Sequence, residues 1–326
     1  MDKNPGQQAI TEASTYLDRV RNEIGKRIVG QADLIDGMLM ALIAGGHVLI
    51  EGVPGLAKTL AVKTLSEVLD VSYRRIQFTP DLLPADLIGT MVYRQETGEF
   101  VPRKGPVFSN LVLGDEINRA PAKVQSALLE AMAERQITLG EKTYKLQFPF
   151  FVLATQNPIE HEGTYPLPEA QLYRFLLKLK IGYPRPEEEL SILRRVGVES
   201  TVQVHKILSP ALLSQVQSAA EKVSVDERIE EYIVTLVIAT RENDTEVHPY
   251  CRFIEYGASP RASIYLYRCA KVKALFEGRG YVVPEDVKAV AYDVLRHRLV
   301  LSYEAESEEL TPEDVIDKVM SVVSVP

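Results

Sequence analysis

A glycine-rich loop between an apolar run and a helix constrains the fold of this chain more than any other feature. The loop, Gly52-Val-Pro-Gly-Leu-Ala-Lys-Thr59, follows the apolar residues 47–50 and opens a helix that we predict over residues 58–69. Backbone N–H groups at such a helix start point at phosphate oxygens, and the helix dipole favours their negative charge. The sequence therefore predicts a phosphate-binding turn in an α/β sheet.

Two side chains of this loop have predicted chemical roles. Lys58 would reach the terminal phosphates of a nucleotide, and the Thr59 hydroxyl would ligate Mg²⁺. Ala57 stands where the usual pattern has its last glycine, so we expect a negative φ at Ala57 and a methyl group that clears the phosphate. The predicted nucleotide contacts in this stretch are Gly52, Val53, Pro54, Gly55, Leu56, Ala57, Lys58, Thr59 and Leu60.

A second apolar strand, at residues 111–113, leads into two carboxylates, Asp115 and Glu116. Beside a phosphate loop, Asp115 would hold the magnesium shell, and Glu116 would orient and activate the attacking water. A lone Asp-Glu pair after a strand is more often a helix cap or a solvated pair. The phosphate loop upstream is what favours the catalytic interpretation.

A third apolar run, residues 151–154, ends in the polar residues Thr155, Gln156 and Asn157. Ligands of parallel sheets bind beyond the carboxyl ends of the strands. Asn157 would therefore hold the water or sense the terminal phosphate. The alternative is an Asn that only forms a turn before Pro158, and Asn157 alone does not decide between them.

Apolar strands alternate with helices through the first 184 residues, which indicates a parallel α/β sheet. Two glycine-centred hairpins, residues 91–102 and 136–148, interrupt this alternation. The remaining predictions are strands at 75–78 and 175–181 and helices at 11–27, 31–44 and 122–134.

Composition changes at Pro184-Arg-Pro186, beyond which the chain reads as helical. We therefore predict an α/β domain over residues 1–184 and a helical domain over residues 185–326. Ser209, Ser259 and Thr311 each precede a proline, which is the pattern of a helix N-cap followed by proline at the first helical position.

The bulk properties narrow the function classes. A net charge of -8 argues against a general nucleic-acid or anionic-membrane binder. The two cysteines, Cys251 and Cys269, are predicted free buried thiols, and the five scattered histidines lack metal-ligand spacing. The first eight residues are polar, and the longest apolar stretch is shorter than the ~20 residues of a membrane helix. We expect a cytoplasmic protein without membrane insertion.

Taken together and in order, these motifs resemble the MoxR family of AAA+ ATPases. Alanine is common in the phosphate loop of that family, at the position of Ala57. The resemblance covers nearly the whole chain and rests on Ile28-Val-Gly-Gln31, Glu51-Gly-Val-Pro-Gly-Leu-Ala-Lys-Thr59, Asp115-Glu-Ile-Asn-Arg-Ala-Pro121, Gln125-Ser-Ala-Leu-Leu-Glu-Ala-Met132, Ala154-Thr-Gln-Asn-Pro158 and Ser259-Pro-Arg-Ala262.

The resemblance implies a P-loop AAA+ core with a parallel five-stranded sheet of order 5-1-4-3-2 and a C-terminal all-helical lid. It implies that the two hairpins are the insertions typical of this family, one in the second helix and one before the sensor strand. It also implies Mg²⁺-dependent ATP hydrolysis in a ring, commonly a hexamer, with the nucleotide between neighbouring subunits.

Several residues gain roles from the resemblance. Arg174 matches the arginine finger offered to the neighbour's ATP, a group that raises kcat by about 10³–10⁵. Arg261 matches the second sensor of the lid, acting on its own or an adjacent subunit. By sequence alone, either arginine could equally be a surface ion-pair residue. The segment Val29, Gly30 and Gln31, with Ile28, is predicted to line the adenine pocket, although a helix-linking turn is the alternative.

Two residues near these motifs raise further hypotheses. Tyr173 stands where the family usually has Asp, so the carboxylate that would fix the finger by a charge-assisted bond is absent. Arg119 lies close in sequence to the carboxylate pair. It would act across the subunit interface, or it would hold Glu116 inactive before the ring closes.

Three functions remain open at this point. The resemblance favours a chaperone-like ATPase that remodels, assembles or activates client protein complexes with a partner carrying a von Willebrand factor A domain. A nucleic-acid motor would use Arg94, Arg103 and Lys104 on the first hairpin as a basic pore, although a solvated hairpin face explains them more simply. A slow nucleotide-gated binding module is the third alternative.

Overall fold

The computed structural model describes residues 5–158, 164–196 and 202–326. The start of the polar N-terminal segment, residues 1–4, and one of the five histidines, His161, lie outside the described residues. No helix in the described ranges is long and apolar enough to cross a lipid bilayer.

Eleven strands lie within the described ranges. In chain order they are β1 Val48–Glu51, β2 Tyr73–Gln77, β3 Gly89–Arg94, β4 Glu99–Lys104, β5 Leu111–Asp115, β6 Gln136–Leu139, β7 Lys142–Lys145, β8 Phe151–Gln156, β9 Leu177–Lys180, β10 Ile254–Tyr256 and β11 Val300–Leu301.

The same ranges contain thirteen α-helices. They are α1 Pro5–Gly25, α2 Ala32–Ile43, α3 Lys58–Leu69, α4 Pro84–Ile88, α5 Ala122–Glu134, α6 Glu169–Leu172, α7 Pro186–Val196, α8 Pro210–Glu221, α9 Glu227–Ala239, α10 Pro260–Phe276, α11 Pro284–Leu295, α12 Tyr303–Ser307 and α13 Pro312–Val322.

The central sheet has five parallel strands in the order β2-β5-β8-β1-β9. Counted along the chain among the sheet strands alone, this is the predicted order 5-1-4-3-2, which is therefore confirmed. The strand expected at residues 75–78 begins earlier, at Tyr73. It is an edge strand paired only with β5. Because its two arginines are exposed, its sequence does not form the continuous apolar run that marks a buried parallel strand.

Both predicted hairpins are present and lie outside the central sheet. β3 pairs antiparallel with β4, and β6 pairs antiparallel with β7. The first hairpin extends two residues beyond the predicted range at each end. The two hairpins also touch, since a Cβ at Gly140 would lie 3.3 Å from Met91 Cγ.

The C-terminal region is helical as predicted, with one addition. The short strands β10 and β11 pair antiparallel, so an all-helical description is incomplete. Two or three residues are too few to show alternating hydrophobicity, which explains why the pattern missed them. Ser209 and Thr311 accept the predicted N-cap hydrogen bonds from Leu212 N and Asp314 N, whereas Ser259 caps α10 without a side-chain bond.

Successive side chains along the sheet strands point to opposite faces of the sheet and pack into two separate apolar cores. Val48 and Ile50 of β1 face the larger core, whereas Leu49 faces the smaller core around α5. The larger core continues without a break into the C-terminal helices, through residues such as Leu266 and Val290. The C-terminal helices are thus anchored to one face of the sheet. Cys251 and Cys269 are free and buried in this larger core, as predicted.

His47 is a fully buried polar residue at the start of β1. Its Nδ1 accepts a hydrogen bond from Val152 N at 3.0 Å, and its Nε2 donates to Met132 O at 3.3 Å. Burial lowers the pKa of His47 from 6.5 to about 4. The imidazole is therefore neutral in the folded protein and joins β1, β8 and α5 at the amino end of β1.

Acid should destabilise the fold through His47. The pKa of His47 is lower in the folded than in the unfolded chain. The contribution of the neutral imidazole to the free energy of unfolding is therefore complete above pH 6.5 and is lost as pH falls towards about 4. We predict that His47→Asn is less stable than the wild type at pH 7.5 and that this gap narrows by about 3 kcal/mol towards pH 4. Urea unfolding across this pH range measures the difference.

The buried Thr240 provides a control that carries no titratable group. Thr240→Val should differ from the wild type in unfolding free energy by an amount that stays the same from pH 7.5 to 4. A His47→Asn gap that stays constant from pH 7.5 to 4 would contradict the assignment of a neutral, buried imidazole.

Candidate functional site

The glycine-rich loop runs from the end of β1 at Glu51 to the start of α3 at Lys58. Gly55 has φ +90°, a conformation that favours glycine. Ala57 has φ +57°, so the expectation of a negative φ there is wrong. Ala57 is the N-cap of α3, and its carbonyl accepts a hydrogen bond from Ala61 N at 2.9 Å. The chain adopts a left-handed conformation at Ala57 to enter the helix, at a cost of about 1–2 kcal/mol.

Lys58, the first residue of α3, is directed back over its own loop. Its Nζ donates to Gly52 O at 2.5 Å. Burial lowers the pKa of Lys58, and the negative charges of Asp115 and Glu116 oppose that shift. The three charged groups therefore lie close together. Thr59 follows on the first turn of the same helix, and the outward-facing Leu60 is exposed.

Asp115 ends β5 and is held on both carboxylate oxygens. Its Oδ1 accepts from Thr155 Oγ1 at 2.6 Å, and its Oδ2 accepts from Arg75 at 2.6 and 3.0 Å. Thr155 is fully buried and also accepts from Glu116 N at 2.9 Å. One hydroxyl thus fixes both members of the carboxylate pair.

Glu116 turns away from the strand with φ +58°. Its Oε2 accepts from Gln77 Nε2 at 2.7 Å and from Arg119 Nη1 at 3.3 Å. The second contact fits the hypothesis that Arg119 restrains Glu116. Gln77 ends the neighbouring strand β2 and pairs with Asp115 in register, which explains its reach.

Asn157 follows β8 and is buried, with 6% of its surface exposed. Strand register places Gln156 beside Glu51, and Gly52 N donates to Gln156 O at 3.3 Å. Asn157 therefore lies at the same sheet edge as the phosphate loop.

Gln125, which is fully buried on α5, joins the segments that follow two strands of the sheet. Its Nε2 lies 3.0 to 3.2 Å from the carbonyls of Ile117, Ala120 and Tyr165. This single amide connects the chain after the carboxylate pair to the chain that follows Asn157. No pattern in the sequence predicts this role for Gln125.

Sequence reasoning also missed Thr155, Arg75 and Gln77. A signal for Thr155 was available, because it lies in the polar end of an otherwise apolar strand. Arg75 and Gln77 lie within the strand predicted at residues 75–78, but their contacts with Asp115 and Glu116 depend on the register of β2 with β5, which spacing along the chain does not contain.

The predicted adenine segment lies against the connection to the C-terminal domain. Gln31 Nε2 is 3.4 Å from Gly182 O. Gly30 has φ +70°, and a Cβ there would lie 2.8 Å from the Glu188 carboxylate of α7. Ile28 is buried and Val29 is half-buried. A Cβ at Gly52 would meet Ile181 at 3.1 Å, so the phosphate loop borders the same connection.

Arg174 does not join this site. It precedes β9, where Leu177 pairs with Val48 at the amino end of β1. The phosphate loop and the carboxylates lie at the carboxyl ends of the strands, so Arg174 lies at the opposite edge of the sheet. Within the described residues, no carboxylate comes within 4.0 Å of its guanidinium.

Arg261 is exposed on the first turn of α10. Its charge contributes to lowering the pKa of Arg298, which contacts the backbone of Phe175 and Leu176. Tyr265, one turn further along α10, has its ring centroid 4.8 Å from Arg298 Cζ, which places the start of α10 near the Arg174 segment. Across the described ranges, no hydrogen bond or ion pair joins Arg261 to Lys58, Asp115 or Glu116.

Thr155 should support the site through its hydroxyl. Thr155→Val leaves Asp115 Oδ1 and Glu116 N without this partner, and we predict a loss of about 1–3 kcal/mol in unfolding free energy. Thr155→Ser keeps the hydroxyl and should retain most of the stability. Urea unfolding of both variants at neutral pH measures the effect. Equal losses in the valine and serine variants would show that the hydroxyl has no supporting role.

Comparison with known proteins identifies relatives over almost the whole chain. A family model described as "ATPase family associated with various cellular activities (AAA)" matches residues 47–177, and one described as "AAA lid domain" matches residues 250–319. The chain is 49% identical to Chaperone MoxR1 of Mycobacterium tuberculosis, over 98% of this chain and 85% of that protein. It is 32% identical to Protein MoxR of Methylorubrum extorquens, over 99% of this chain and 98% of that protein.

The fold is also similar to a solved structure. The crystal structure of a Cytophaga hutchinsonii protein assigned as an ATPase superposes with a TM-score of 0.90 at 49% sequence identity. The match covers 98% of this chain and 97% of that one.

Proposed function

The chain belongs to the MoxR family of AAA+ ATPases, and from that premise we propose that it hydrolyses ATP with Mg²⁺ to remodel, assemble or activate client protein complexes. The observation that carries the proposal is the meeting of Lys58, Asp115 and Glu116 at one sheet edge, beside the N-terminus of α3. Phosphoryl transfer to water needs a cation to bind phosphate, a carboxylate for the metal shell and a second carboxylate to orient the water.

The donor set fits Mg²⁺. The Thr59 hydroxyl and the Asp115 carboxylate are oxygen donors, and Mg²⁺ typically takes one or two protein ligands together with phosphate oxygens and water. When bound, the ion would neutralise charge on the phosphates. Asp115 already accepts two bonds from Arg75, so Arg75 would hold this carboxylate in place or yield one oxygen to the metal.

Glu116 is the group that we propose to orient and deprotonate the attacking water. Its Oε2 is engaged by Gln77 and Arg119. These contacts would have to loosen for Glu116 to act as a base, which offers a means of restraining hydrolysis. Asn157, at the same edge, would hold the water or the terminal phosphate.

The opposite location of Arg174 and Arg261 supports a ring in which each nucleotide lies between neighbours. Arg174 cannot reach Lys58 across the length of its own sheet without a large rearrangement, because strands rise about 3.3 Å per residue. We therefore infer that both arginines act on the adjacent subunit's nucleotide, in a homo-oligomeric ring that is a hexamer by family resemblance.

The first hairpin suggests how a client is contacted. Tyr93 and Phe100 lie on facing strands, with ring centroids 5.3 Å apart, and are 53% and 66% exposed. An exposed aromatic pair suits an apolar protein segment. Arg94 is paired in register with Glu99, which weakens the case for a basic pore that binds nucleic acid. We propose protein clients, in the cytoplasm, with a von Willebrand factor A domain partner.

Two substitutions separate nucleotide binding from hydrolysis. Glu116→Gln should keep ATP affinity while lowering the hydrolysis rate by at least about 10²-fold, because the base is lost and the phosphate loop is intact. Lys58→Ala should abolish measurable ATP binding. Phosphate release and calorimetric ATP titration measure the two quantities. Normal turnover by Glu116→Gln would refute its assignment as the base, and Arg94→Gln on the exposed hairpin is the control that should leave both quantities unchanged.

A further inference from the structure

Arg298 is a buried cation in the C-terminal domain, with 1% of its surface exposed. It has no carboxylate within ion-pair distance among the residues that the structure describes. Its guanidinium donates instead to the carbonyls of Phe175 at 2.5 Å, Leu176 at 3.4 Å and Val294. A buried charge is costly unless it is well hydrogen-bonded. Its location just past the C-terminus of α11 offsets part of this cost, because the helix dipole favours a cation there.

The residues beside Arg298 bind the same stretch of the core. His297 Nε2 donates to Phe175 O at 3.2 Å, and Arg296 Nη1 donates to Lys178 O at 2.7 Å. In the other direction, Tyr173 OH donates to Arg298 O at 3.3 Å. Three consecutive residues, 296–298, therefore bond the Tyr173 hydroxyl just before Arg174 and backbone carbonyls between residues 175 and 178 just after it.

The other side of Arg298 contacts α10. Its Cζ lies 4.8 Å from the centroid of the Tyr265 ring. Tyr265 is one helical turn after Arg261 on α10, and the Arg261 charge is close enough to affect Arg298. One guanidinium thus joins the helix that carries Arg261 to the segment that carries Arg174.

We propose that Arg298 is a positioning residue that holds Arg174 and Arg261 in a fixed mutual arrangement, so that both arginines are presented together to the neighbouring subunit's nucleotide. This inference rests on the proposed function, in which Arg174 acts in trans. A planar guanidinium bonding several carbonyls fixes direction as well as distance, which an ammonium group does not. Movement of the C-terminal helices would then move both arginines as one body.

Complementation in mixed rings tests this role. Arg298→Lys keeps the charge and loses the planar fork, so hydrolysis should fall by about tenfold or more while ATP affinity stays within about twofold. Mixed with Lys58→Ala subunits, the Arg298→Lys variant should regain activity per subunit. The Lys58→Ala subunits present a correctly held Arg174 to neighbouring Arg298→Lys subunits, whose own nucleotide sites are intact. Mixed with Arg174→Ala subunits, it should regain none, since both variants lack a properly presented finger.

Arg279→Lys is the matched control. Arg279 is another arginine of the C-terminal domain, paired with the buried Asp286 at 2.6 and 2.9 Å, and it has no hydrogen bond or ion pair to residues 173–178 in the described chain. Any loss in Arg279→Lys should reflect stability alone and should not be rescued by Lys58→Ala subunits. Tyr173→Phe, which removes one hydrogen bond from the same junction, should show the complementation pattern of Arg298→Lys with a smaller loss. If Arg298→Lys does not fold, the complementation pattern of Tyr173→Phe tests the positioning role in its place.

A mixture of Arg174→Ala and Lys58→Ala subunits separates the in-trans function of Arg174 from the positioning role of Arg298. If Arg174→Ala is not rescued by Lys58→Ala subunits, the in-trans function of Arg174 fails. If Arg174→Ala is rescued but Arg298→Lys and Tyr173→Phe are not, the positioning role of Arg298 is overturned while the proposed function stands. A loss of ATP affinity in Arg298→Lys with an unchanged maximal rate would also overturn it.

Discussion

The parallel register of β1, β5 and β8 is the constraint on which the rest of this structure depends. Because Val48 pairs with Leu153 and Leu113 pairs with the same Leu153, the three strands end at one edge. The phosphate loop, the carboxylate pair and Asn157 each follow one of these strands, so the backbone alone brings them together. Side chains then refine the geometry, and the Thr155 hydroxyl holds Asp115 and Glu116 at once.

The opposite edge of the sheet has a different chemistry. There Arg174 and the buried Arg298 contribute positive charge, and residues 296–298 hold the segment that carries Arg174. The carboxyl edge instead combines the phosphate loop with carboxylates. In the ring that we propose, the Arg174 edge of one subunit would face the phosphate loop and the carboxylates of its neighbour. Tyr173 replaces a carboxylate that the family usually places beside the finger, and its hydroxyl bond to Arg298 O supplies a different anchor.

The strongly periodic parts of the fold could be predicted from the sequence. Helices α3 and α5 begin and end at the predicted residues, because amphipathic spacing and the adjacent turns define them locally. The site residues Lys58, Asp115 and Asn157 could be located because each follows a recognisable apolar strand. The start of the edge strand β2 and the whole pair β10–β11 could not be predicted, since exposed or very short strands carry little hydrophobic pattern. The φ of Ala57 and the contacts of Gln125 depend on tertiary geometry, which spacing alone does not contain.

The effect of Mg²⁺ on the affinity for nucleotide tests most directly whether the phosphate loop and Asp115 form one site. Calorimetric titration with a non-hydrolysable ATP analogue should show tighter binding in Mg²⁺ than in EDTA for the wild type. In Asp115→Asn this difference should shrink, because one ligand of the metal shell is weakened while the phosphate loop is unchanged. Equal affinity with and without Mg²⁺ in the wild type, or an undiminished Mg²⁺ effect in Asp115→Asn, would contradict a site in which the phosphate loop and Asp115 share one metal-bound nucleotide.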